Sequence, residues 1–191
     1  MTPDITNEAI RAFEVLKKGG TILYPTDTIW GIGCDAKNEK AVNKIYQIKQ
    51  RPESKSLIIL LNNKESLEKY MEKVPLIAFD LIEQIEKPLT IIYPKAKNLP
   101  TNLFTKDGSI AIRITKNEFC SKLIHLLDSP LVSTSANTSG ELPPLIFKQV
   151  SNYIKNKVDY TVNLSQNEIK EMKASTIIRF INDFEFEVVR E

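Results

Sequence analysis

The apolar positions of this chain follow two rhythms that take turns, one of helical period and one of strand-like runs. Residues 6–18 carry Ala9, Ile10, Phe13, Val15 and Leu16 on one side and stop at Gly19-Gly20, which predicts a helix ended by glycine. Thr21-Ile22-Leu23-Tyr24 reads as a short strand closed by Pro25. A second helix is expected over 39–48, with Ala41, Val42, Ile45, Tyr46 and Ile48 inward. Pro52 closes that region, because the residue before a proline is disfavoured in the α conformation. Leu57 to Leu61 is an unbroken apolar run, the pattern of a strand buried on both faces.

Helices are then expected at 63–72 and 76–86, and strands at 89–93, 109–114 and 131–134. Helices at 116–127 and 145–156 flank the last of these. The chain closes on strand-like runs at 158–163, 175–180 and 184–190, the final two forming a hairpin around Asn182-Asp183. Helices alternating with strands, then a hairpin, predict an α/β (α+β) fold: a twisted mixed parallel and antiparallel sheet with helices packed on it. With 191 residues and no repeat or linker, one domain over 1–191 is expected, without an additional C-terminal domain.

Composition narrows the chemistry. Lys and Arg number 26 against 24 Asp and Glu, a net charge of +2, so any basic surface must be local. Cys34 and Cys120 stand far apart and form no ligand set, which suits a reducing compartment. No apolar run approaches membrane-spanning length and no signal-peptide pattern follows Met1, so a cytoplasmic setting is expected. The P-loop motif and zinc-like His/Cys spacing are both absent. The only histidine, His125, is expected on the apolar face of a helix, and no Gly-x-Ser-x-Gly occurs, so a Ser/His/Asp hydrolase is not indicated. Gly31-x-Gly33-x-x-Ala36 fits a loose dinucleotide fingerprint. The next strand, however, ends in Asn62-Asn63, not in the acidic residue that holds a ribose.

Two distant segments carry the strongest chemical signal. Lys49, Arg51 and Lys55 put three cations within seven residues after a helix. Arg offers a planar fork for phosphate oxygens and Lys a mobile point charge. Ser133-Thr134-Ser135-Ala136-Asn137 follows an apolar strand and supplies short neutral hydrogen-bonding groups. Alone, the first reads equally as a basic helix end favoured by the dipole, and the second as a turn. Together they predict the two walls of a polyanion pocket. Thr26-Asp27-Thr28 sits on a loop after a strand, where α/β proteins often carry function, with Gly31 and Gly33 allowing close backbone approach. Ser109 and Arg113 share one side of a strand, Ser175 opens another, and Arg190 ends the last.

Read in order, these motifs resemble the YrdC-like family of threonylcarbamoyl-AMP synthases over about residues 7 to 190. The likeness rests on Gly20-Thr21-Ile22-Leu23-Tyr24-Pro25-Thr26-Asp27-Thr28, Lys49-x-Arg51-Pro52-x-x-Lys55, Ser109-x-Ala111-x-Arg113, Ser133-x-Ser135-Ala136-Asn137-x-Ser139-Gly140 and Ser175-Thr176-Ile177. It departs at Trp30, where Tyr is usual, at Pro143-Pro144, where Ser-Pro is common, and at Arg190-Glu191, where Arg-Pro-Gly is common. The resemblance implies synthesis of L-threonylcarbamoyladenylate from L-threonine, bicarbonate or CO2, and ATP, with release of pyrophosphate. A partner complex would then transfer the group to the adenine beside the anticodon of tRNAs. It implies Lys49, Arg51 and Lys55 on the triphosphate, Ser135 and Asn137 on the nucleotide phosphates, and Ser109 and Arg190 on the nucleotide side. Arg113 would take the threonine carboxylate, with Thr28, Ser133 and Ser175 shaping that pocket. Mg2+ would arrive on the phosphates of ATP without dedicated protein ligands. Two other uses of such a cleft are a double-stranded RNA-binding or ribosome-assembly module, with weak tRNA contact, and a carbamoyl-phosphate-using adenylation domain.

Overall fold

In the computed structural model, residues 4–52, 57–168 and 175–191 are described. Helix α1 (Ile5–Lys17) starts at Asp4, whose side chain accepts from the Thr6 N–H. Gly19, at φ +78, turns the chain into β1 (Ile22–Pro25). A tight loop returns it as β2 (Trp30–Gly33), antiparallel to β1 with Pro25 opposite Trp30. This strand was not expected, because two of its four residues are glycine and propensity reads such a run as a loop. Packing overrides propensity here: a Cβ on Gly33 would lie 2.0 Å from the Val132 carbonyl oxygen.

Helix α2 (Glu39–Lys49) is capped by Asn38 and ends three residues before Pro52 for its own reason. Gln50 adopts a left-handed conformation, φ 49, and returns its N–H to the Gln47 and Tyr46 carbonyls. β3 (Ile58–Leu61) and β4 (Leu89–Tyr93) flank α3 (Leu67–Tyr70) and α4 (Leu76–Gln84). The helix expected over 63–72 shrinks to the single turn of α3. Asn63 Oδ1 accepts from both the N–H and hydroxyl of Ser66, so local side-chain bonds displace helical ones. β5 (Ile110–Ile114), α5 (Glu118–Leu127) and β6 (Leu131–Ser135) follow as expected. On α5 the buried positions are Phe119, Cys120, Leu123 and Ile124, which turns His125 outward and not onto the apolar face.

The helix expected over 145–156 is two pieces. A 3-10 turn at Phe147–Gln149 is followed by extended Val150, which drops its side chain into the core at 2% exposure. The Ser151 hydroxyl then starts α6 (Asn152–Lys157) by accepting from Ile154 N–H. β7 (Tyr160–Thr161), β8 (Thr176–Phe180) and β9 (Phe186–Arg190) complete the chain, the last two as an antiparallel hairpin. Its register pairs Ile177 with Arg190 and Ile178 with Val188. Val189 is thus the extra residue of a bulge, a device that re-aims a neighbouring side chain.

Among the described residues the strands form one nine-stranded mixed sheet, ordered β7-β1-β2-β6-β3-β5-β4-β8-β9. β3 runs parallel to β5, and β4 to β8; the β5–β4, β3–β6 and β2–β6 pairs are antiparallel. One face carries the larger core, where Ile59, Leu61, Ile91, Tyr93, Ile112 and Ile178 meet α2 and α4. On the other face α1 and α5 pack over Leu60 and Leu131, covering only the β1–β6–β3 part of the sheet. The alternation of side chains then sends Ile58, Ile92, Ala111, Arg113 and Ile177 to this second face, beyond those helices. That uncovered stretch is where a cavity forms.

Candidate functional site

The cavity measures about 330 Å3 and is lined by residues from both halves of the chain. This falls within the rough 300–1,000 Å3 range of small-molecule sites. Its floor is the sheet itself, Ile58, Ile92, Ala111 and Ile177, and its walls are polar.

One wall is built around Arg113, which β5 points into the cavity at 7% exposure. Its Nε donates to Thr90 Oγ1 at 3.0 Å, Nη1 to Asp27 Oδ1 at 3.2 Å and Thr28 Oγ1 at 3.5 Å, and Nη2 to Ser175 Oγ at 2.8 Å. Four of the five guanidinium N–H groups are thereby used among the described residues, and one on Nη2 remains. The Thr26 side chain shapes the loop that delivers these partners: its Oγ1 donates to Ile29 O and accepts from Thr28 N–H. Arg190 arrives from β9 and donates to Ser175 O through Nε and Nη2, and to Ser175 Oγ through Nη2 at 3.2 Å. Burial, and then the Arg113 charge, hold the Arg190 pKa below its ordinary value.

Proton counting fixes the direction of one further bond. Ser175 Oγ accepts from two guanidinium groups, so both lone pairs are taken. Its own proton must point to Thr90 Oγ1, 2.9 Å away. Ser175, 1% exposed, therefore joins two cations to a buried threonine hydroxyl. The arrangement concentrates positive charge around one short hydroxyl, a setting suited to a carboxylate or phosphate oxygen.

The opposite wall is the end of β6, Ser133, Thr134 and Ser135, with Arg51 beyond it and Pro143 on the rim. The left-handed cap at Gln50 makes Lys49 and Arg51 diverge: Arg51 lines the cavity while Lys49 turns beneath the wall. Burial lowers the Arg51 pKa below its usual value without removing the charge.

Thr28, Arg51, Arg113, Ser133, Ser135, Ser175 and Arg190 thus share one cavity, although up to 162 positions separate them (190 − 28). Arg190 sits beside Arg113 through their shared Ser175, closer to the expected threonine group than a purely nucleotide-side place implies. Three expected ligands stand elsewhere. Lys49 is 1% exposed and spends its ammonium on backbone carbonyls. Ser109 has the predicted strand parity but is captured by a turn. Its hydroxyl donates to Asp107 at 2.8 Å and lies 2.5 Å from Thr105 Oγ1. Hydrogen bonds from Thr105 and Ser109 in turn hold the Asp107 carboxyl below the usual range. Asn137 folds back on its own loop, with Nδ2 donating to Thr138 O and Glu141 O. Lys55 lies outside the described residues.

Asp27 is the counter-ion of Arg113 and is not among the residues lining this cavity. Thr90 escaped the sequence reading, although a lone hydroxyl in the apolar run Leu89-Thr90-Ile91-Ile92 is the kind of signal that marks a buried polar task. A second cavity, about 210 Å3, opens behind Asp27 among Ile82, Ile85, Leu89 and Ile114. It holds no comparable set of converging donors, so the chemistry is assigned to the larger cavity.

Fold and site together describe a sheet-face enzyme pocket for small anionic substrates, cationic at two places and hydroxyl-lined between. The chain belongs to the Sua5/YciO/YrdC family, whose model, described as "Telomere recombination", matches residues 14–191. It is 36% identical over 155 residues to a threonylcarbamoyl-AMP synthase of Pseudoalteromonas translucida, covering 80% of this chain and 83% of the relative. The P. abyssi Sua5 structure complexed with L-threonine superposes with a TM-score of 0.88 at 27% identity. All of this chain is covered there, and it spans 55% of that longer chain. The structure of E. coli YciO matches with a TM-score of 0.84 at 26% identity, over 100% of this chain and 91% of that one. No helix among the described residues is long and apolar enough to cross a membrane.

Proposed function

We propose that this chain joins L-threonine, bicarbonate or CO2, and ATP into L-threonylcarbamoyladenylate with release of pyrophosphate, as a step in tRNA modification next to the anticodon. The observation that carries the reading is the single cavity shared by the Arg113–Ser175–Arg190 cluster and by Arg51 with the β6 hydroxyls. Family membership, and relatives named for this synthesis, support it.

In this reading the Arg113 Nη2 N–H, beside Ser175 and Thr28, receives the threonine carboxylate. The free amine of threonine attacks the carbon of CO2; an N–C bond forms and the amine loses a proton to water. A carbamate oxygen then attacks the α-phosphorus of ATP, and the bond to the bridging oxygen breaks, releasing pyrophosphate. Mg2+ enters as part of the nucleotide substrate, on its phosphate oxygens. Arg51 offsets charge on the leaving pyrophosphate, and the Ser133 and Ser135 hydroxyls orient the phosphoryl oxygens. Arg190, shared with the threonine side through Ser175, stands where carbamate and α-phosphate meet. The threonine carboxylate, the carbamate and the triphosphate are all anionic, so positioning and charge neutralisation supply the catalysis and no protein nucleophile is needed.

The test is pyrophosphate release from ATP in bicarbonate buffer with and without L-threonine, with mass analysis of the adenylate formed from a mixture of amino acids. Threonine-dependent release and a threonylcarbamoyl-adenylate mass are expected. Replacing Arg51 with alanine should abolish product while leaving the fold intact. Release driven equally by carbamoyl phosphate, or no release together with salt-sensitive RNA binding, would refute the proposal.

A further inference from the structure

Lys49 is an expected phosphate ligand whose side chain turns away from the cavity it was expected to serve. It is the last residue of α2 and 1% exposed, among the largest fully buried side chains of the protein. A lysine is rarely buried without a partner that justifies it. Here the partners are neutral. Nζ donates to the Ser135 carbonyl at 2.6 Å and the Asn137 carbonyl at 2.7 Å, and Ser135 Oγ lies 3.5 Å away. Its own backbone carbonyl accepts from Ser139 N–H at 2.9 Å. Both ends of this residue therefore hold the same five-residue stretch, and all three ammonium protons are directed at it.

That stretch needs a holder. After Ala136 N–H donates to Trp30 O, the chain leaves the sheet, and the Ser135 and Asn137 carbonyls turn toward the interior. Without the ammonium the Asn137 carbonyl would lose its donor and the Ser135 carbonyl would keep only the Asn137 N–H, a costly outcome for buried groups. Turning them inward also aims the Ser135 side chain outward, onto the cavity wall.

We propose that Lys49 is a positioning residue: its ammonium clamps the Ser135 and Asn137 carbonyls, and it acts on the reaction by fixing the hydroxyl wall without touching the nucleotide. The inference rests on the proposed function for its catalytic readout, but the clamp itself can be tested without any substrate. It assigns different tasks to the two cations of the Lys-x-Arg pair. Arg51 faces the reactants, and Lys49 sets the shape of the wall opposite them. The charged groups acting on Lys49 are Arg51, which disfavours the ammonium, and Glu141, which favours it; burial acts most strongly, and lowers its pKa to about 8.

Three measurements decide it. In the wild-type protein carrying 15N-labelled lysine, the Lys49 Nζ signal should be slowly exchanging and should keep its position as ATP is added without threonine. A shift that saturates with ATP, or a through-bond coupling to phosphorus, overturns the proposal. In Lys49→Met, which keeps the stem and removes the donors, turnover should fall on the order of 100-fold while KM for ATP changes less than about threefold. A rise in KM for ATP of about tenfold or more with turnover retained overturns it, because that is the pattern of a lost ground-state phosphate contact. If the synthesis itself is not observed, amide exchange still discriminates. The Asn137 N–H, bonded to Ser135 O at 2.9 Å, should exchange at least about tenfold faster in Lys49→Met. Unchanged exchange there in a folded variant overturns the clamp independently of the activity.

Discussion

Ser175→Ala removes one oxygen atom from the point where two guanidinium groups converge. The wild-type hydroxyl accepts from Arg113 Nη2 at 2.8 Å and from Arg190 Nη2 at 3.2 Å, and donates to Thr90 Oγ1 at 2.9 Å. Alanine leaves no cavity of consequence, so the whole effect is polar. Two of the lost bonds have charged donors, worth about 1.5–3 kcal/mol each in favourable cases. Water from the adjoining cavity can replace part of that, and Arg190 keeps its bonds to the Ser175 carbonyl. A net loss of about 2 kcal/mol in stability follows. For a domain of this size that lowers Tm by roughly 4–8 °C. The functional effect is separate in origin: Arg113 loses the bond that fixes its Nη2, the group proposed to meet the threonine carboxylate. KM for L-threonine should rise about tenfold, with KM for ATP changing much less. Differential scanning calorimetry gives the first number and pyrophosphate release gives the second. A Tm within about 1 °C of wild type together with an unchanged threonine KM would refute the reasoning.

Three further outcomes are expected. The Lys49 pKa of about 8 lies below the ordinary 10.5, so between those values the unfolded chain binds more protons than the folded one. Stability from this group is therefore lowest below about pH 8 and rises with pH, by about 2 kcal/mol between roughly pH 7.5 and 9.5. Urea unfolding of wild type and Lys49→Met across that interval should show the rise only in the wild type; parallel curves count against it. Gly33→Ala forces a Cβ to 2.0 Å from the Val132 carbonyl oxygen, a backbone atom that cannot move without parting β2 from β6. We expect a loss above about 3 kcal/mol, seen as a large Tm drop or failure to fold, and a near-wild-type Tm would contradict the close approach. Asp27→Asn leaves the mostly buried Arg113 without its counter-ion, whose side chains are 8% and 15% exposed in the wild type. Stability should drop by about 2 kcal/mol, and saturating L-threonine should restore more Tm than it adds to wild type, since its carboxylate replaces the missing charge. Equal threonine shifts in both proteins would exclude that substitution of one anion for another.

Much of the scaffold is legible in the apolar pattern because those positions have one physical task. The run Leu57 to Leu61 alternates between two cores, Ile59 and Leu61 on one face and Leu60 on the other, so an unbroken apolar string is what a doubly covered strand requires. β2 was hidden because its glycines serve a close contact that local sequence does not display. The burial of Lys49 was hidden for a related reason: residue type argues for solvent or a phosphate, and only the fold shows two carbonyls that accept from its ammonium. Ser109 had the right parity and the wrong neighbours, since Asp107 and Thr105 capture it two and four residues away. Arg190 was legible as chemistry but not as geometry. Its meeting with Ser175 depends on the bulge between Ile177 and Ile178, which strand alternation alone does not predict. The convergence of Arg51 with the β6 hydroxyls was inferred from chemical complementarity, and the cavity contains both.

The β8–β9 hairpin carries a consequence for how the protein emerges from the ribosome. Arg113 is translated long before Ser175 and Arg190, which complete its surroundings across a gap of more than sixty residues (175 − 113 = 62). Until that hairpin zips onto β4, Arg113 has its Thr28 and Thr90 partners within the chain already made but lacks Ser175. In the function proposed above, the Arg113 side of the cavity is complete only once Ser175 and Arg190 have joined it, and a mutation that slows hairpin docking would delay the onset of activity without altering any residue that meets a reactant.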